Sequence, residues 1–566
     1  MRGVAAYMAY GAENGLADWG PPSRARVTVL KLSFLNLSVG AENRKGKCLK
    51  MESKGKRIAL NMISQVAAFV LSMAINFFLI PVIIEKIGKD IYGFYSLAGN
   101  FLEYATVVTA VINGMANRYI TVAYSRGEKQ RANRYFTSVT LVNVFLTVVL
   151  AVPATILIIF LEKVINIPPQ HVFDVKCLWT FTFLMFFVNL IFSRYEVAPF
   201  ATNRLEITAF INMTSIVIKA ALLTVVYSLF YPYIGYVGVI VFVCALYSAA
   251  VKVHFKNKLT PDLKFRKELF DFGTVKELAA VGIWNSVSQM SQMLFTGLDL
   301  LIANLFIGAE QMSILSVAKT LPVMLISFIG VIAGTFYPTM TISYSTQSRT
   351  DFLKETGFAA RMCGFICSIP IAGIVVFGRK FFTLWLPTLT AEEINTVQIL
   401  SVLTLMPQLL SIYVFPLHQI NTITCNVRVP ALLDCFIGIL NIIIVYLLLE
   451  HTSLGLYAIA GVSSTLLLLK TLIFVPLYAA HNIGAARRTF YPYIIRGILV
   501  NAVELCIFTA VKHIIPAGSW LMLLCSAAAA AIFGGGAGFF VIFDGWERKK
   551  AVAAVRNKLS RGKAGE

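Results

Sequence analysis

The sequence predicts an all-α integral membrane protein of about 14 transmembrane helices, built as two pseudo-symmetric six-helix lobes with two further helices at the C-terminus. Three observations predict it. Composition is the first: 58% of the 566 residues are hydrophobic, 14% are charged and mean hydropathy is +0.75, well beyond a soluble domain. The second is that apolar residues fall into runs of roughly 20 or more, the length a helix needs to cross ~30 Å of hydrocarbon at 1.5 Å per residue. Barrel strands would be shorter and would alternate. The third is an internal echo, in which "EKIGKDIYGFYSLAGN" at 85 returns 220 positions later as "FIGAEQMSILSVAKT".

Taken in order, the first 50 residues lack the apolar core and small-residue cleavage site of a secretory signal. Residues 1–57 read as a disordered cytoplasmic segment, and Met51, opening "MESKGKRIALN", is an alternative start. Spans are expected at 58–84, 91–117, 135–160, 177–195, 206–230 and 233–251, which form an N-lobe over 58–251. A basic cytoplasmic connector, 252–278, follows. The C-lobe, 279–479, holds spans at 279–306, 310–341, 357–378, 396–418, 429–449 and 455–479. Spans at 493–514 and 520–543 complete the segment 480–543, and 544–566 is a basic tail whose apolar residues suit a short amphipathic surface helix.

Lys and Arg alternate between the connections. The seven later connections on the N-terminal side hold 28 of them and those on the opposite side hold seven. Cytoplasmic loops retain positive charge, so both termini are expected in the cytoplasm. That asymmetry accounts for the formal charge of +21 without nucleic acid. Basic loops also suit anionic membrane lipids.

Catalytic and metal chemistry find no foothold in the pattern. The nine cysteines form no C-x-x-C pair and the six histidines no i,i+4 pair, so neither a disulfide framework nor a zinc site is expected. No G-x-x-x-x-G-K-[ST] or G-x-S-x-G occurs, and the "DFG" at 271–273 stands alone. We expect no enzyme activity and no cofactor.

The echo extends over residues 87–125 and 307–345, with ten identities in 39 ungapped positions, among them Gly88 on Gly308, Ser96 on Ser316, Ala98 on Ala318 and Gly114 on Gly334. Six helices separate the copies, so the repeat is parallel, as in transporters whose pathway lies between two lobes.

Ionisable groups inside spans are costly and mark function or pairing. They are Glu103, Lys219, Asp299, Lys319, Asp434, Lys470 and Glu504. Lys219, mid-span, is the foremost candidate to line a substrate cavity, with Lys319, Lys470 and Arg118. Asn285, Gln289 and Gln292 form a polar stripe at i, i+4 and i+7, facing either a cavity or a neighbouring helix. Asp299 and Lys319 flank one turn at similar depth and are placed to pair. Glu103, Asp299, Asp434 and Glu504 are candidates for ion coupling by H⁺ or Na⁺, or for structural pairs.

The stretches "LIPVIIEKIGKDIYGFYSLAGN" and "NRYITVAYSRGEKQRANRYF", with "DLLIANLFIGAEQMSILSVAKTLP" and "RYEVAPFATNRLEITAFINMTSIVIKAALL", resemble bacterial polysaccharide flippases of the Wzx type. That family belongs to the MATE-like MOP superfamily of multidrug, oligosaccharidyl-lipid and polysaccharide exporters. The similarity covers roughly 55 to 545. It implies two lobes around a central cationic cavity. It also implies a lipid-linked glycan as substrate, with a polysaccharide polymerase and glycosyltransferases as possible partners. Twelve spans are common in Wzx-type proteins and fourteen in lipid II flippases. The expected function is flipping of a polyprenyl-diphosphate-linked oligosaccharide by alternating access. Lipid II flipping, multidrug or cation antiport, and a non-transporting membrane scaffold are the alternatives.

Overall fold

The computed structural model describes residues 44–545, apart from residues 203, 347, 425, 516 and 517, together with Arg548. Residues up to Gln65 and residues from Val66 form two compact units, and the packing described below is that of the second.

The first half of the chain contributes α1 (Arg44–Ile87), α2 (Lys89–Ser125), α3 (Lys129–Ile159), α4 (Val172–Phe192), α5 (Leu205–Leu229) and α6 (Gly235–Leu259). In the second half, α7 (Phe272–Gln292) runs through a π-helical turn, Met293–Gly297, into the short helix Asp299–Phe306. Then come α8 (Ala309–Thr346), α9 (Arg349–Trp385), and α10 (Ala391–Leu405), which resumes after Pro407 as Gln408–Ile423. Next are α11 (Arg428–His451) and α12 (Leu456–Leu469), which continues through a second π-helical turn, Lys470–Phe474, into Val475–Asn482. The last two are α13 (Tyr491–Ile514) and α14 (Trp520–Ile542).

Among the described residues twelve of these helices are long and apolar enough to cross a membrane, and α2 and α7 are not among them. Those two pack along each other, so their polar residues need not face lipid. Two expectations change. The segment 1–57 was expected to be disordered, but it is helical from Arg44, because Lys, Glu, Leu and Met extend an existing helix at little cost. Residues 1–43 and the expected tail helix lie outside the described residues. The loop between lobes is only 260–271, since α6 continues to Leu259.

That loop is strapped to α3. The backbone N–H groups of Lys264, Arg266 and Asp271 donate to Asn133 Oδ1 (2.8 Å), Thr137 Oγ1 (3.2 Å) and Ser138 Oγ (3.2 Å). Those three α3 side chains are buried, which explains polar residues at the start of an otherwise apolar span.

The apolar core places the halves relative to each other. One large cluster joins residues from both, with Phe94, Leu97 and Trp179 of the first packed in the same core as Leu315, Phe382 and Leu400 of the second. Toward the basic-loop end the core divides. One cluster there runs from Ile112 to Leu278, around α2 and α3, and another from Met340 to Ile494, around α8 and α13. The C-terminal pair α13 and α14 packs on α9.

Candidate functional site

The turns that open α2 and α8 hold Gly88 at φ 89° and Gly308 at φ 133°, a region that residues with a Cβ rarely occupy. Eight residues further on, Ser316 Oγ donates to Ser96 Oγ at 2.6 Å, and the Gly93 N–H donates to Ser313 Oγ at 3.1 Å. In each pair the partners are 220 positions apart. Residues that the repeat equates therefore touch each other, which places the pseudo-two-fold axis between α2 and α8 at this level.

The two helices part below that contact. Tyr92, Met312 and Ser316 are buried and Ser96 is half-buried. The following positions on the same helical face, one and two turns on, are Gly99 and Glu103 on α2 and Lys319, Val323 and Ser327 on α8. Gly99, Glu103, Val323 and Ser327 are exposed. A Cβ at Gly99, Gly330 or Gly334 would meet nothing within 4 Å. Equivalent faces that are packed at one level and exposed at the next line a cleft between α2 and α8 on the basic-loop side, while α2 and α7 stay packed there.

The sealed end is held by further bonds between the halves. Asn166 N–H and Nδ2 donate to Asn304 Oδ1 (2.8 Å) and backbone O (2.7 Å), and Asn304 Nδ2 returns a bond to the Asn166 carbonyl at 3.1 Å. Trp385 Nε1 donates to the Phe77 carbonyl at 2.9 Å.

The π-helical turn beneath that seal frees carbonyl groups at membrane depth, where they need partners. Asn100 Nδ2 (2.9 Å) and Tyr104 OH (2.5 Å) from α2 both donate to the Gly297 carbonyl, and Asn441 Nδ2 from α11 donates to that of Phe295 at 3.1 Å. Asp299 follows directly and is ion-paired with Lys319 of α8. Glu103, across the cleft on α2, lies in the field of the same Lys319. The second π-helical turn opens at Lys470, whose Nζ lies 2.6 Å from Asp434 Oδ1 of α11. Both intramembrane ion pairs thus sit at local unwindings of a helix, a common feature of functional sites.

Lys219 differs from the other two lysines. Its Nζ points inward from α5 and donates to the hydroxyl of Tyr95 on α2 at 3.3 Å. Among the described residues no carboxylate pairs with it.

No protein-family model matches the chain. It is 26% identical over 500 residues to an uncharacterized membrane protein, EpsK, of Bacillus subtilis (strain 168), a match covering 88% of this chain and 98% of that protein. Among solved structures it is similar to the lipid II flippase MurJ in an inward closed conformation, with a TM-score of 0.60 and 13% identity over 84% of this chain and 98% of that one. It is also similar to the inward-facing conformation of a multidrug resistance MATE family transporter, with a TM-score of 0.58 and 13% identity over 76% and 97%. The fold is the one these two solved structures share, the fold that the resemblance implied. This is a multi-pass membrane protein.

Within that fold the expected site residues separate into groups. Glu103, Asp299 and Lys319 come together where the halves meet. Lys470 and Asp434 pair inside the second half. The cavity expected to be cationic therefore has two of its three lysines matched by carboxylates. Gln289 and Gln292 are exposed on α7. The side chains of Arg118 and Asn285 lie outside the described residues. Glu504 stands apart, buried among α9, α13 and α14, accepting from Ser368 Oγ at 3.0 Å. Sequence reasoning did not single out Asn100, Tyr104 and Asn441, and a polar residue within an apolar run was the available signal.

Proposed function

We propose that the protein is a flippase that carries a polyprenyl-diphosphate-linked oligosaccharide across a bacterial inner membrane by alternating access. Its termini and basic loops are cytoplasmic, and the product serves cell-surface polysaccharide assembly. The observation that carries this reading is the parting of α2 and α8 below the Ser96–Ser316 contact. A cleft between symmetric halves, closed at one end and open at the other, is one end state of a rocking transporter.

The chemistry fits a phosphorylated headgroup. Lys219 supplies an ammonium whose charge is not neutralised by a neighbouring carboxylate, and Gln289 and Gln292 offer amides to a glycan. The polyprenyl tail stays in lipid. Glu103 and Asp299, either side of Lys319, provide a place for H⁺ or Na⁺ coupling. Arg118, on α2, is kept as a cationic candidate at the cytoplasmic mouth. A polymerase and glycosyltransferases would act on either side of the step.

The exposed Glu103 favours a second reading, a cation antiporter of the same superfamily, because a carboxylate facing the cleft suits an organic cation. Reconstitution separates the two. Proteoliposomes bearing a polyprenyl-diphosphate-linked oligosaccharide should show protein-dependent exposure of the glycan to an external glycosidase. Lys219→Ala should lower that rate at least ~10-fold, the loss of ~1.4 kcal/mol of binding, at unchanged protein level. An unchanged rate removes Lys219 from the site. Efflux of a cationic dye without glycan flipping favours the second reading.

A further inference from the structure

We propose that the basic end of the first half carries a binding site for a phosphate-bearing anion, built by Arg194, Lys256 and Lys264 around the ring of Phe136. It lies away from the cleft and does not depend on the substrate proposed above.

Arg194 sits in the 3₁₀ turn Ser193–Glu196 that ends α4. Its Nη2 donates to Tyr195 OH at 2.8 Å, but Nε and Nη1 are buried without a partner. Lys256 occupies the last turn of α6, is 8% exposed, and reaches only Asn257 Oδ1 at 3.4 Å. The Arg194 guanidinium lies 5.8 Å and the Lys256 ammonium 5.7 Å from the centre of the Phe136 ring. Lys264, on the strap to α3, adds its field to that of Arg194 at Lys256.

The half-buried Arg194 presses its positive charge on the buried Lys256, and among the described residues neither forms an ion pair. Three carboxylates of this end are engaged elsewhere: Glu196 with Lys252 at 2.6 Å, Glu206 with Arg204 at 2.9 Å, and Asp262 with Lys129 at 3.0 Å. The carbonyls at the end of α6 and the face of Phe136 relieve part of the repulsion. They accept no hydrogen bond from Arg194 Nε or Nη1. Buried charges are normally both paired and hydrogen-bonded. A tetrahedral oxyanion presents acceptors in several directions, and so satisfies one of these two N–H groups and an ammonium together. Phosphate chemistry at the basic end of a membrane protein comes from an anionic lipid headgroup or from a free phosphate.

The test uses the full-length protein in phosphatidylcholine nanodiscs in a chloride buffer. One arm adds phosphatidylglycerol to the discs and the other replaces chloride by inorganic phosphate at equal ionic strength. Either probe should raise Tm by at least ~3 °C. The rise should vanish in Arg194→Gln and Lys256→Gln and persist in Lys129→Gln. A rise with phosphatidylglycerol alone assigns the site to a lipid headgroup, and a rise with inorganic phosphate assigns it to any phosphate. Without either probe, Arg194→Gln should be at least as stable as the parent, because it removes one of two like charges. No rise with either probe, or an equal rise in Arg194→Gln, overturns the proposal. If Arg194→Gln does not fold, native mass spectrometry of Arg194→Lys decides. Fewer retained phosphatidylglycerol molecules than in the parent support the site, and equal numbers overturn it.

Discussion

The side chain of Asp299 is 3% exposed and that of Lys319 16%, so each ion relies on the other for the stabilisation that water would give. Removing one partner of such a pair leaves a buried charge and costs about 3–5 kcal/mol, whereas replacing both by apolar residues is often nearly neutral. Asp299→Leu or Lys319→Leu alone should therefore lower Tm sharply, and the double variant should recover most of the loss. The pair Lys470–Asp434 is more open, at 16% and 32%, and Asp434→Asn should cost only about 1 kcal/mol. Equal losses at the two sites would show that exposure does not set the energy. The first pair was legible in the sequence because its members flank one tight turn, which fixes their relative depth. The second was not, because it joins α11 to α12 across 36 residues and depends on how each helix is rotated about its axis. Rotation is set by packing, which a hydropathy profile does not contain.

At the scale of an element, α7 combines three devices. Asp271 caps its start by accepting from the N–H groups of Gly273 and Thr274. The Thr274 hydroxyl first, then the Gly273 N–H, hold the Asp271 carboxyl below the usual range. A lowered carboxyl pKa contributes stability that is present above the unfolded-state pKa and lost as pH falls through the folded one. Stability at neutral pH should thus fall in Asp271→Ala, and the difference from the parent should shrink on acidification toward and below the ordinary Asp range. Midway along α7, Gly282 lies so close to α2 that an added Cβ would stand 1.9 Å from the Val111 carbonyl oxygen. Gly282→Ala should force the helices apart and cost about 1–3 kcal/mol. Gly330→Ala, where a Cβ meets nothing, should stay within about 0.5 kcal/mol. Urea denaturation of the two variants in detergent makes the comparison. The π-helical turns escaped the sequence because their residues, "MLFTG" and "KTLIF", are as apolar as the helix around them. The first left its trace in the distant partners Asn100 and Asn441.

For the whole molecule, the repeat is what the sequence conveyed best. An offset of 220 chosen from glycine and serine matches set Ser96 on Ser316, and the fold brings those two hydroxyls into contact. In a background lacking the native cysteines, Ser96→Cys with Ser316→Cys should form a disulfide that holds this end shut. Transport should stop on oxidation and return with reductant, and transport that persists through quantitative cross-linking would show that this contact need not open. Six hydrogen bonds described above, two on the axis, three between the paired asparagines and one from Trp385, cross between the halves at the sealed end. At a net ~1 kcal/mol each, breaking all of them leaves roughly one unloaded molecule in 10⁴ open to the far side. In the flippase proposed above, that bias means idling rather than leaking. Cargo can reverse it only by gripping the opposite arrangement more tightly by a matching amount, so selectivity and tight coupling draw on the same few contacts.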